Sequence, residues 1–200
     1  MQDYLKKWKL FLENTQNSIE EIKTSDPELY KALINHFEEN IKLPKEQVDK
    51  IQSFIKNNQY QDVFSTPKNV EFLYRGLAVN ESALAQITQE NEQNIYVSET
   101  FGKEFKITSK KTVLKAQEGD YASSWTDDIE SAIMFSAGYP ESMNHSIIFC
   151  AAISENQDKF IDPQGIYKFP EFKRFAGEKE IIGIGDIKVV RFYTSNRKNW

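Results

Sequence analysis

The first glycine of this chain is Gly76, and all eight glycines lie from there onward. Glycine supplies positive φ and close backbone approach, so the stretch before it is suited to long helices while the remainder must turn often. Hydropathy patterning divides the chain at the same place. Leu5, Trp8 and Leu12 recur at spacings of three and four, as do Leu29, Leu33 and Phe37, and then Val48, Ile51 and Ile55. These are the apolar stripes of amphipathic helices. Ser25-Asp26-Pro27-Glu28 reads as a helix start, with Ser or Asp to cap, Pro in the first turn and an acid near the positive end of the dipole. Pro44 separates the second stripe from the third. Such stripes predict core packing or a partner-binding face; none carries a catalytic pattern.

Beyond Val70 the pattern changes to short β-prone runs bounded by turn residues: Val70–Tyr74, Ile95–Val97, Phe105–Ile107, Ser146–Ile153, Ile181–Ile184 and Ile187–Tyr193. Only Ser82–Ile87 and Asp127–Ala137 interrupt them as helices, too few for strictly alternating parallel strands. The predicted fold is α+β: a helical N-terminal segment over 1–66, packed on a mixed, largely antiparallel two-sheet sandwich core over 67–200, together one compact domain. Ser65-Thr66-Pro67-Lys68-Asn69 is the expected boundary.

Several function classes are disfavoured. Twenty-five Lys and Arg against thirty Asp and Glu give a charge of −5 with no single-sign block. Grip on nucleic acid by bulk charge is therefore not expected, although a local basic cleft remains open. The longest apolar run, Ile147–Ile153, is far shorter than the roughly 20 residues of a membrane span. Met1-Gln2-Asp3-Tyr4-Leu5-Lys6-Lys7 has no apolar leader stretch, so a cytoplasmic, monomeric protein without membrane association is the expectation. His36, His145 and Cys150 are too few for a zinc site of the usual ligand type, and no calcium loop occurs, so no metal is expected. Gly-x-Gly-x-x-Gly, the P-loop and Gly-x-Ser-x-Gly are missing as well. Cys150 sits inside the apolar run and reads as a buried, inert thiol.

Three segments remain that can carry chemistry. In Glu71-Phe72-Leu73-Tyr74-Arg75-Gly76 an apolar strand ends in an arginine beside a glycine, which can present a planar fork to phosphate or carboxylate. An ordinary surface arginine at a turn is the plainer reading. In Tyr121 to Phe135, Ser124 and Thr126 alternate with Trp125 as on a strand, and Asp127 with Glu130 then opens a helix as a capping box; here plain N-capping competes with function. In Phe175 to Gly185, a strand over 178–184 puts Glu178 and Glu180 on one face, with Cα atoms roughly 7 Å apart. Two like charges that close face either solvent or a cationic ligand.

Arg on a strand, Ser-x-Thr before a helix and Glu-x-Glu on a later strand, in that order, resemble the R-S-E class of mono-ADP-ribosyltransferases. The helical first third and the form Leu-Tyr-Arg-Gly are most similar to the Alt, ModA and ModB enzymes of T-even bacteriophages. The resemblance covers residues 70–200 in organisation. It implies an ADP-ribosyltransferase-like core, NAD as co-substrate, and a nucleotide site formed by Arg75, Gly76, Tyr121, Ser124, Trp125, Thr126 and Glu180. Arg75 would match the NAD-binding arginine, Ser124 the first serine of a Ser-Thr-Ser motif, Glu178 the acceptor-side glutamate and Glu180 the catalytic one. Trp125 and Thr126 depart from that motif, and its register can also begin at Ser123.

The chemistry suits these residue types. The bond from ribose to nicotinamide already carries a cationic leaving group, so cleavage needs a carboxylate that gains strength as positive charge builds on the sugar. Glu180 has that role on the resemblance, Ser124 fixes its rotamer, Arg75 holds the pyrophosphate or adenosine ribose, and Tyr121 and Trp125 shield the nicotinamide. Glu178 would orient an acceptor guanidinium and take its proton. The stretch Tyr167–Phe175 would be the substrate-recognition loop, with Phe172 or Phe175 as the aromatic contact. The implied partners are host proteins with an acceptor arginine, transcription or translation machinery among them, and NAD-capped RNA as a second donor. An NAD glycohydrolase of the same fold and a non-enzymatic interaction module are the rival readings.

Overall fold

The computed structural model describes residues 18–39, 41–87, 94–116, 122–138, 143–170, 172–173 and 180–197. It is a mixture of helices and sheets in which every strand pair of described register is antiparallel. The chain divides into two compact units, each assembled from three separate stretches. The chain first leaves one unit for the other between Lys68 and Asn69.

One unit takes the residues up to Lys68, together with Ala116–Ser123 and Asp158–Gly185. Its helices are α1 over 18–25, α2 over Pro27–Glu39 and α3 over Lys45–Lys56. The start signal works as read, through its Asp. Asp26 Oδ1 accepts the Leu29 N–H at 3.1 Å, while the Ser25 hydroxyl turns back to the Glu21 carbonyl at 2.7 Å. Lys50 also meets Asp26 at 3.0 Å. The stripes of α2 and α3 bury Leu29, Leu33, Phe37, Val48 and Ile51. They share one core with Ile161, Ile166, Tyr167, Phe169, Phe172, Ile182 and Ile184. Strands β7 (Phe160–Ile161) and β8 (Ile181–Ile184) pair here, and β8 also neighbours β5 (Ala122–Trp125), whose first two residues belong to this unit. Tyr167 and Phe172 stand edge-on to Phe37, with ring centroids 5.5 and 5.7 Å away.

The other unit is built on a five-stranded sheet of order β1-β6-β10-β3-β2, with β1 Phe72–Val79, β2 Ile95–Val97, β3 Glu104–Thr108, β6 His145–Ala152 and β10 Arg191–Asn196. The uninterrupted apolar run explains the centre. β6 is buried at every residue and is flanked by β1 and β10. The expected strand Ile187–Tyr193 is two strands, β9 (Ile187–Val189) and β10, divided at Val190, whose N–H turns to the Cys150 carbonyl. β9 pairs with β4 (Thr112–Leu114). Helix α4 covers Glu81–Ile87 and α5 covers Ile129–Ala137. Among the described residues no helix is long and apolar enough to cross a membrane. Cys150 is fully buried, and desolvation pushes its thiol up to about 11.

One correction concerns β1. The strand does not end at Arg75; it runs on to Val79, with Arg75 opposite Phe149 and Gly76 opposite Ile148. Gly76 serves close packing instead of a turn. A Cβ there would fall inside the carbonyl oxygen of Ala132 and 2.8 Å from its carbon, so α5 lies directly on the β1 backbone.

Candidate functional site

Strand β1 and the Ser-x-Thr segment are neighbours within the second unit. Tyr74 and Thr126 exchange both backbone hydrogen bonds, at 2.8 and 2.9 Å. One residue further on, the Arg75 guanidinium donates through Nη1 to the Ser124 carbonyl at 3.2 Å. Partly buried in mid-strand, Arg75 is thus aimed along the segment expected to carry the hydroxyls. Two of the three motifs, far apart in the chain, are brought together.

The hydroxyls themselves divide. Ser124 is exposed, whereas Thr126 is buried and its Oγ1 accepts the Asp128 N–H at 3.2 Å. Trp125 is 2% exposed and belongs to the interior. Ser123, partly buried, donates from Oγ to the Gly183 carbonyl at 3.3 Å within the first unit. The unit boundary therefore falls between Ser123 and Ser124, inside β5.

Glu180 belongs to the first unit and precedes β8, which starts at Ile181, so Glu180 itself is not in the strand expected over 178–184. Its carboxylate is 13% exposed and lies 3.6 Å from Nε2 of His36 on α2. Phe172 is wholly buried between Tyr30 and Phe37. Tyr121, Phe175 and Glu178 lie outside the described residues. His36 is the residue that reading the sequence missed, though its position between Leu33 and Phe37 on a buried stripe marked it as inward-facing.

The capping box also needs correction. Asp128, not Asp127, caps α5, accepting the Glu130 and Ser131 N–H groups at 3.1 and 3.3 Å and the Ser131 hydroxyl at 2.7 Å. Glu130 is released from that duty to bind a turn of the sheet. It accepts Tyr96 OH and Ser98 Oγ, each at 2.6 Å, and the N–H groups of Glu99 and Thr100 at 3.0 and 3.2 Å. Burial alone would raise its pKa, but these four donors outweigh burial and bring it down to about 2. Each oxygen faces one backbone N–H that cannot rotate away, so an amide would turn a donor against a donor. Glu130→Gln is accordingly expected to lose about 1–3 kcal/mol of stability in urea unfolding at neutral pH. A carboxylate held below its ordinary value stabilises the fold above that value and stops doing so as it protonates. The gap between wild type and variant should therefore narrow as pH falls from 4.5 towards about 2.

An open groove of about 580 Å³ on the five-stranded sheet is lined by Lys106, His145, Thr194 and Asn196 among others, and by none of the expected site residues. Among the described residues no group of three or more His, Cys, Asp or Glu side chains gathers as metal ligands. Compared with protein-family models and with curated proteins, the chain matches none.

Proposed function

We propose that this protein is a mono-ADP-ribosyltransferase that moves ADP-ribose from NAD to arginine side chains of proteins with release of nicotinamide. The observation that carries the reading is the hydrogen bond from Arg75 to the Ser124 carbonyl beside the Tyr74–Thr126 bridge. It puts a cationic fork next to an exposed hydroxyl, a donor set that fits the pyrophosphate and ribose of a dinucleotide. NAD itself supplies a glycosidic bond with a cationic leaving group. The chain's own work is then to hold the anionic part with Arg75 and to offer Ser124 as a hydrogen-bonding group; the charge that answers the developing cation falls, on the resemblance, to Glu180.

On this reading the core is of the ADP-ribosyltransferase type, the acceptors are bacterial host proteins, transcription or translation machinery included, and NAD-capped RNA is a further donor. The setting is the host cytoplasm. Incubation with NAD labelled in its adenosine half and a bacterial lysate tests this directly. Label on arginine of protein is the expected result; free ADP-ribose alone would make the protein a glycohydrolase, and neither product would leave it a binding module.

Arg75→Lys keeps the charge but replaces a planar fork by a point donor. The dissociation constant for NAD, measured by calorimetry, should rise about tenfold. An unchanged constant would return Arg75 to the role of a strand residue that braces its neighbour.

A further inference from the structure

Strand β2 is the last of the five-stranded sheet and, among the described residues, pairs on one side only, with β3. The hydrogen bonds at its two ends show which way its backbone faces. Ser98 N–H donates to the Lys103 carbonyl and Ile107 N–H to the Asn94 carbonyl, each at 2.9 Å. Bonding alternates along an antiparallel strand, so residues 94, 96 and 98 turn to β3 while the N–H and C=O groups of Ile95 and Val97 point away from it. The side chains of Ile95 and Val97 are 56% and 54% exposed and lie on one face of the sheet. Lysine or proline commonly blunts such an edge, and Ile95-Tyr96-Val97 contains neither.

The edge is complementary to itself. About a two-fold axis at Tyr96, an antiparallel second β2 sets Ile95 of each copy against Val97 of the other. These are the residues whose backbone groups point outwards, so the two pairs exchange N–H···O=C bonds in both directions. Charge follows the same symmetry. In β3, Lys106 stands beside Ile95 and Glu104 beside Val97, both exposed on that face. A row across the joined sheets then reads Lys106 and Ile95 from one copy, Val97 and Glu104 from the other, and the second row reads the reverse. Strands about 4.8 Å apart put the ends of a row about 14 Å apart at the backbone, a span that the stems of lysine and glutamate narrow by lying over the apolar pair. Every row has opposite charges at its ends. An extended segment of a different protein would find the same backbone groups but would have no reason to meet Lys106 and Glu104 in that order.

We infer that β2 is the interface of a symmetric homodimer, in which the five-stranded sheets of two copies join edge to edge. The contact is small, so the association is weak, and the expected monomer is its dilute form. Nothing in it depends on the reaction proposed above.

Sedimentation of the full-length protein from about 1 µM to about 1 mM should show the average mass rising from that of one chain towards that of two. Val97→Pro removes an outward N–H and leaves the bonds to β3 in place, so it should hold the mass at one chain with the melting temperature unchanged. Lys106→Glu and Glu104→Lys each give every row like charges at both ends. Either should raise the dissociation constant of the dimer at least about fivefold, and the two together should restore it. Register is read by crosslinking, because directly opposed residues of such a pair have Cα atoms about 5.5 Å apart, within reach of a disulfide. Under mild oxidation an equal mixture of Ile95→Cys and Val97→Cys should crosslink faster than either variant alone. A mass of one chain over the whole range overturns the inference and leaves the edge to a different protein. So does a dimer that the paired charge exchange fails to restore, or one whose mixed cysteine variants show no preference. A dimer that survives Val97→Pro overturns it too, and if that variant melts early, the charge exchange and the crosslink decide.

Discussion

Glu180→Gln is expected to lower NAD consumption about a hundredfold, close to 3 kcal/mol of transition-state stabilisation, and to lower protein labelling with it. The exchange is nearly isosteric and removes the charge that would meet positive charge on the sugar. Structure should survive, because the new amide can donate to Nε2 of His36, where the carboxylate oxygen now stands 3.6 Å away. Thermal unfolding of the variant should thus match or exceed that of wild type while turnover is lost. Turnover retained within about threefold would remove Glu180 from the chemistry altogether. Loss of turnover together with a lowered melting temperature would instead make the glutamate a packing residue of the first unit.

Gly76→Ala is expected to be among the most damaging small substitutions for stability. Its added methyl has no room, because the Ala132 carbonyl oxygen occupies the position and Ser136 N stands 3.1 Å off on the same helix. Both obstacles are backbone, so relief requires moving α5 away from β1 as a body. A loss of at least about 3 kcal/mol follows, which for a chain of this size is a fall of roughly 6–12 °C in melting temperature. Arg75 is adjacent in β1, so the variant should weaken NAD binding as well as the fold. A melting temperature within about 2 °C of wild type would mean that the helix does not lie on the strand in solution.

These two residues show what was legible in the chain and what was not. Features set by near neighbours could be read: the stripe Leu29, Leu33 and Phe37, the cap at Asp26, and the buried strand around Cys150. Features set by distant ones could not. Arg75-Gly76 looks like the end of a strand because glycine commonly marks a turn, and its actual reason, the backbone of Ala132, lies in another element. Glu130 has the spacing of a capping box, yet its carboxylate answers to Tyr96, Ser98, Glu99 and Thr100. His36 stood in plain view on a core stripe, but Glu180 opposite it is known only once the chain is folded. β4 and β7 are simply too short for a periodic signal.

The three-part construction of the first unit bears on how the protein is made. Synthesis proceeds from the N-terminus at about 5–20 residues per second, so α2 and α3 leave the ribosome on the order of ten seconds before Phe172 and β8, with which they share a core. During that interval the faces of Leu29, Leu33, Phe37 and Ile51 have no permanent cover. The nascent chain is then a natural client for a holding chaperone, and translation speed across the intervening stretch becomes a determinant of yield.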